Sequence, residues 1–354
     1  MADTENGLYG IYNSNRDVEE HWGKNCFNSS FPTAMACYMM DKDIPAIYMK
    51  LVKEKGVLKV KPVEISLRDV FRAGSRSTTE LDFQFETVYE PYAKYSFDRI
   101  DGIDLVVKGT DEAWLAPVEV KLTVLPDNTT VSDKESEWGC EMVVRSATTS
   151  YAALSMFDAV SKKAKEIREI FEPSCSAIQS WDNTFEMSYK TASLCKALDE
   201  FESKFLRRQR PLVMEPVWKT CGQTPFLSDN AFDIVVWSDY AFTRLFIDRA
   251  QADKAGDMTR PGRAAAKLAR CLWELSKSGK IHVTEIYRQM AFGNQTDKEF
   301  SISGKSWRKY VTSKRIEKPI LPKETIKEII APGFIDKLCP ERRFDQTLYF
   351  TMRK

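Results

Sequence analysis

Residues 101–124 read DGIDLVVKGTDEAWLAPVEVKLTV, and two strands can be read in them. Ile103-Asp104-Leu105-Val106-Val107 is a short apolar run held between Gly102 and Gly109. In the second run Val118, Val120, Leu122 and Val124 fall on one face, which puts Glu119, Lys121 and Thr123 together on the other. The stretch between them, 108–117, contains Gly109 and Pro117 and is short enough for a hairpin connection. An acid therefore enters one strand, and fifteen residues later an acid and a lysine share one face of the next.

Outward from this hairpin the period changes. Ala147, Tyr151, Leu154, Phe157, Val160, Ala164, Ile167 and Phe171 form one stripe, predicting a helix of about six turns. A second helix is predicted over 185–207. Strands follow at Pro211–Trp218 and Phe232–Trp237, the latter apolar enough to be internal to a sheet. The order strand, strand, helix, helix, strand, strand predicts an α/β (α+β) fold, a mixed sheet flanked by helices. On the N-terminal side, residues 7–40 are dense in Asn, Ser and aromatics and predict an ordered arm, with a Ser-Phe-Pro break before a helix at Ala34–Met40. On the C-terminal side Arg263–Leu275 is amphipathic, with Ala264, Leu268, Cys271, Leu272 and Leu275 on one face and Arg263, Lys267, Arg270, Glu274 and Lys277 off it. Helices at 284–292 and 306–312 would complete a helix-turn-helix or winged-helix module. The organisation expected is an arm and helix at 1–75, a core at 76–250 and a basic, mainly helical region at 251–354.

The 354 residues are 43% hydrophobic and 29% charged, a composition that excludes a disordered or fibrous protein. Residues 259–318 carry 14 Lys+Arg against 5 Asp+Glu, a net +9 in a chain of net +1, so the remainder carries −8. Such segregation suits a basic surface for a polyanion joined to an acidic body able to hold a cation. Eight cysteines without a CxxC pair, and two histidines, His21 and His282, give no zinc-ligand spacing and no histidine with a catalytic role. MADTENGLYG has neither a basic nor an apolar leader, and no apolar run approaches a membrane span, so a cytoplasmic protein with reduced thiols is expected.

The chemistry that fits Asp104, Glu119 and Lys121 is phosphodiester hydrolysis. Two carboxylates on adjacent strands supply hard oxygens for Mg²⁺, and a cation on the same strand face can orient or deprotonate the attacking water and offset charge on the phosphate. The competing explanation is a polar surface pair on a half-exposed strand. Asp101 is a rival first acid, but Gly102 places it in a turn. An acid leading an apolar strand, ExK in the next and a long helix after it resembles the PD-(D/E)XK nuclease core, with Ile103 where that motif has proline.

A closer resemblance joins the arm to the core. NSNRD (13–17), WGKNCFNSSFP (22–32), DGIDLVV (101–107), VEVKLTVLPDNTT (118–130) and FDIVVWSDYAFTRLFID (232–248) are similar to the HindVP-type family of type II restriction endonucleases. The resemblance implies Asp104 and Glu119 as metal ligands, Lys121 as the catalytic lysine, and Mg²⁺-dependent cleavage of double-stranded DNA at a short palindrome, with GRCGYC-type sites associated with the family. The backbone carbonyl of Val120 is expected as a further ligand. It also implies a homodimer, since a two-fold symmetric protein reads a palindrome, and a DNA methyltransferase gene as neighbour.

Glu80 is a possible third acid, although Ser77 and Glu80 also match a capping box. That cap fails if Leu81, Phe83 and Phe85 form a strand. Lys24, Asn25, Asn28 and Ser29 are donors that could meet phosphate or base edges, or merely hold the arm on the body. Lys305, Arg308 and Lys309 are the candidate phosphate contacts of the basic window. Two other functions fit the same residues: a structure-selective repair or recombination nuclease, and a non-enzymatic DNA-binding regulator on an inactive scaffold.

Overall fold

The computed structural model describes residues 22–127, 141–221, 227–254, 256–293, 298–303 and 314–330. The strands expected at 103–107 and 118–124 are β4 (Ile103–Gly109) and β5 (Trp114–Val120), continued by β6 (Thr123–Asp127). β4 and β5 pair antiparallel, and the turn between them closes through Gly109 N–H to Ala113 O at 2.8 Å. With β1 (Ala46–Glu54), β2 (Val57–Ile65), β3 (Leu81–Thr87), β8 (Pro211–Cys221) and β9 (Leu227–Ser238) they build a mixed sheet in the order β2-β1-β9-β8-β5-β4-β3. β1 lies parallel to β9, and β5 and β6 both lie parallel to β8; the other pairs in that order are antiparallel. As expected of Phe232–Trp237, β9 is internal and those six residues are fully buried.

Alternation along the strands sorts side chains into two cores. Leu105, Val118, Val120, Met214, Ile234 and Val236 face one layer, which holds α1 (Trp22–Asp41) and a helix at Lys323–Ile330. Val106, Val213, Val217, Val235 and Trp237 face the other, filled by α3 (Ser146–Val160), α4 (Ala164–Cys175), α5 (Thr184–Lys204), α6 (Asp239–Gln251) and α7 (Arg260–Ser278). α2 is a single turn at Leu67–Val70. Since Val118 and Val120 face the α1 side, Glu119 and Lys121 project toward α3.

Three elements differ from expectation. α1 continues through Pro32 instead of starting after it. The proline removes an i→i−4 hydrogen bond, a cost of about 3 kcal/mol, but Met35, Ala36, Cys37 and Met39 are completely buried just beyond it, and that packing holds the helix together. The six-turn helix is broken at Ser161–Lys163 by a 3₁₀ turn, yet Val160, Ile167 and Phe171 keep the stripe on one core. α7 is enclosed by α3, α4, α5 and α6, and Gly262–Leu272 is buried throughout, cations included. Arg263, Lys267 and Arg270 therefore do not form a solvated face. Lys267 Nζ lies 2.8 Å from Glu299 Oε1, Arg263 donates to the carbonyl of Glu299, and Arg270 pairs with Glu274 at 2.7 Å. α8 (Val283–Met290) follows α7 after a turn in which Gly279 adopts φ +75°. β7 (Glu141–Arg145) and β10 (Lys298–Ser303) form a separate two-stranded sheet that the sequence did not suggest. The helix expected at 306–312 lies outside the described residues.

Candidate active site

The site forms where two strands part. β4 and β5 are paired at Leu105–Val118. From the next residue on β5 is paired with β8, with Glu119 beside Val213 and Val120 beside Met214. The ladder between β4 and β5 is replaced at that point by a side chain: Val120 N–H donates to Asp104 Oδ2 at 2.7 Å. Lys121 N–H donates to Met214 O at 3.0 Å, and β6 resumes along β8 at Thr123–Val217, so the ExK segment is fixed by backbone on both sides. Beyond it the same face is sealed, because Thr123 and Trp237 Nε1 both donate to the buried Glu215.

Glu119 is 6% exposed and receives two donors on one oxygen, Lys121 Nζ at 2.5 Å and Thr148 Oγ1 at 2.7 Å. Burial, reinforced by the charge of Glu119, pushes the Asp104 carboxyl up to about 7, against the pull of Lys121 and the Val120 N–H. Burial works against the Lys121 ammonium, but Glu119 and Asp104 outweigh it and hold its pKa above the ordinary value. Lys121 is therefore a cation at neutral pH, and two carboxylates crowd one cation. Among the described residues no group of three or more His, Cys, Asp and Glu side chains is placed to hold a metal. Mg²⁺ keeps several waters and needs only one or two carboxylates, so Asp104 and Glu119 suit it as a donor set. Their mutual repulsion gives a cation a reason to bind.

The structure brings Asp104, Glu119 and Lys121 together and keeps other candidates apart. Asp101 is exposed in the approach to β4, its carbonyl accepting the Tyr151 hydroxyl at 3.0 Å. Glu80 stands at the far end of β3, next to the Leu81–Gly109 pair, whereas Asp104 is at the Thr87–Ile103 end. Both sequence alternatives for that segment are present: Glu80 Oε2 caps Ser77 N–H at 2.9 Å on a 3₁₀ turn, and Leu81 then begins a strand. The acid that does approach is Glu86, exposed at φ +51°, whose carboxyl is raised by partial burial and then by Glu119. Its backbone leaves no room across from it: a Cβ on Gly102 would lie 2.8 Å from Glu86 O, so only glycine lets the two strand ends meet. The sequence carried a signal for Glu86, since Asp82, Gln84 and Glu86 alternate with Leu81, Phe83 and Phe85. Thr148 and the neighbouring Arg145 had none, lying beyond β6 and β7 at the start of α3. Lys24, Asn25, Asn28 and Ser29 fall in the first half of α1, and their side chains, like Lys305, Arg308 and Lys309, lie outside the described residues.

A mixed sheet flanked by helices, with an acid pair where its strands diverge, is an α/β nuclease-like fold. Comparison with known proteins gives the family. The HindVP restriction endonuclease family matches residues 22–353, and the chain belongs to it. The type II restriction enzyme HgiDI of Herpetosiphon aurantiacus is 32% identical over 348 residues, covering 98% of this chain and 96% of that protein. The probable type II restriction enzyme HindVP of Haemophilus influenzae is 30% identical over 345 residues, covering 97% and 92%. No solved structure matches the chain. The protein is thus an enzyme, a type II restriction endonuclease acting on duplex DNA, and the regulator and repair-nuclease readings fall away. Among the described residues no helix is long and apolar enough to cross a membrane.

Proposed function

We propose that this restriction endonuclease hydrolyses phosphodiester bonds at a short palindromic site with Mg²⁺, using Asp104, Glu119 and Lys121. The observation that supports this most is the convergence of Asp104 on the Val120 amide and of Lys121 on Glu119 at one strand divergence. Asp104 and Glu119 would hold the cation, together with the carbonyl of Val120, which shares a strand edge with the N–H already turned to Asp104. A divalent cation there supplies charge neutralisation for the phosphate and acidifies a water. Lys121, held charged by the two carboxylates, acts as a fixed cation that orients the water and offsets charge developing on the phosphate, a task that suits it better than taking a proton. Arg145, exposed where β7 meets α3 and electrostatically felt by Lys121 and Glu86, adds positive charge on the solvent side.

The family resemblance supports a GRCGYC-like target, a homodimer with each subunit cutting one strand, a cytoplasmic setting and a neighbouring methyltransferase gene. We retain 76–250 as the segment that carries the catalytic residues, with β1, β2 and α7 completing the sheet and helical layer around it. DNA contacts are assigned to Lys24, Asn25, Asn28 and Ser29 of the arm and to Lys305, Arg308 and Lys309 of the basic region. The decisive experiment incubates the purified protein with unmethylated plasmid. Mg²⁺ should give discrete fragments whose ends map to one palindrome, and EDTA should abolish them; random degradation, or cleavage in EDTA, would refute the proposal. Sedimentation on a single cognate duplex should give two chains per DNA.

A further inference from the structure

Glu119 can serve a cation only if its carboxylate is held in one plane, and a side chain outside the strand pair does this. Lys121 and Thr148 both donate to Oε1, at 2.5 and 2.7 Å, while among the described residues no donor reaches Oε2. Two donors of different origin on one oxygen fix the rotation of the group and leave the other oxygen for a ligand. We propose that Thr148 is a positioning residue for Glu119, an inference that rests on the catalytic reading of Glu119 given above.

Three features of Thr148 suit the role. It lies in the first turn of α3, and its hydroxyl accepts the Arg145 N–H at 3.4 Å, so the hydroxyl proton is turned toward the carboxylate. It is β-branched, which restricts χ1 and keeps the hydroxyl where the helix puts it. It is 1% exposed, so solvent has little access to the bond.

The helix turn that carries Thr148 is itself braced from the basic region. Lys267 Nζ, inside α7, donates to Ser146 O at 3.1 Å and to Glu299 Oε1 at 2.8 Å, and it also meets the Ser146 hydroxyl. Thr149 Oγ1 donates to Glu299 Oε2 at 2.7 Å. The residues on both sides of Thr148 are thus tied to a buried ion pair formed by α7 and β10, and two residues far along the chain fix the position of the hydroxyl against Glu119. Groups that orient a metal ligand in this way typically change metal affinity or activity by about 10–100-fold when removed.

The test uses the full-length enzyme on its cognate duplex under single-turnover conditions across a Mg²⁺ titration. Thr148→Val keeps the shape and removes the hydroxyl. It should slow cleavage by about 10–100-fold and raise the half-saturating Mg²⁺, while the unfolding midpoint and DNA binding in Ca²⁺ stay near wild type. Thr148→Ser should restore both kinetic quantities to within a few-fold. Should the valine variant fail to fold, Thr148→Ser against Thr148→Ala makes the same comparison, both having lost the methyl group and only one the hydroxyl. Wild-type cleavage and Mg²⁺ dependence in the valine or alanine variant would overturn the proposal. Glu119→Ala is run alongside: if it also cleaves normally, the catalytic reading fails instead, and if it is inactive while Thr148→Ala is normal, only the positioning role fails.

Discussion

Two adjacent threonines of α3 serve two lysine–glutamate pairs, and the pairs are unlike. Thr149 donates to Glu299, which holds Lys267; Thr148 donates to Glu119, which holds Lys121. Around Glu299 both carboxylate oxygens have donors, and the ammonium of Lys267 is shared with Ser146, so one charge meets one charge and the polar groups are used up. Around Glu119 a second carboxylate, Asp104, is packed in and a third, Glu86, stands at the rim, with one Glu119 oxygen undonated among the described residues. A completed buried network fixes structure. An acid-rich one of the same residue types is poised to take up a cation. Composition does not separate them; the excess of carboxylate over donors does.

Breaking each pair should therefore give opposite phenotypes. At the outer pair, Glu119→Ala or Lys121→Ala should lower the single-turnover cleavage rate by about 10³-fold, with Lys121→Ala still binding cognate DNA in Ca²⁺. At the inner pair, Lys267→Met leaves Glu299 buried without its cation and should cost about 3 kcal/mol in urea unfolding. The larger effect on chemistry thus belongs to one pair and the larger effect on stability to the other. Equal stability losses at both would remove the distinction.

A finer test uses the sign of the charge balance. Asp104→Asn keeps an acceptor for the Val120 N–H and removes one of two crowded carboxylates. It should abolish cleavage yet raise stability at pH 8, by up to a few kcal/mol. The pH dependence fixes the cause. The folded pKa of Asp104, about 7, lies above its ordinary value of 3.8, so its favourable contribution is fully present below about 4 and lost as pH rises through 7. The advantage of the asparagine variant over wild type should accordingly be absent at pH 4, grow through the interval and level off above 7. In the active enzyme the same proton competes with the cation, so the Mg²⁺ needed for half-maximal cleavage should rise as pH falls below about 7. A flat Mg²⁺ requirement between pH 6 and 8 would place the ligand elsewhere.

The hairpin that carries the site was legible because alternation and turn residues act locally. Val118 and Val120 pack on one side and Glu119 and Lys121 project to the other, as the pattern requires. The internal strand at Phe232–Trp237 was legible for the same reason. What was not legible depends on partners distant in sequence. Arg263, Lys267 and Arg270 look like a solvated stripe until Glu299, Ala291 and Gln289 are folded against them. Thr148 is one polar residue among several in SATTS, and only the crossing of α3 over β5 gives it Glu119. Glu80 and Glu86 both belong to the segment around β3, and strand direction decided which of them lies near Asp104.

The burial of three cations narrows what the +9 window can do for DNA. Arg263, Lys267 and Arg270 are 7%, 1% and 6% exposed and are engaged internally, so they cannot release counterions from phosphate without leaving their partners. Whatever electrostatic affinity the window has must come from its remaining residues, among which Lys305, Arg308 and Lys309 place three cations within five residues. Neutralising those three should weaken binding to cognate and random DNA alike and flatten the dependence of log K on log salt by about 0.9 for each phosphate no longer neutralised, with no change in the unfolding midpoint. Arg270→Gln should do the reverse, lowering the midpoint and leaving the salt slope unchanged. A salt titration of both variants on both DNAs, with folding followed by circular dichroism, separates the outcomes. A fall confined to cognate DNA would mean that the triplet reads bases, and an unchanged slope would move phosphate binding to the arm at Lys24–Ser29.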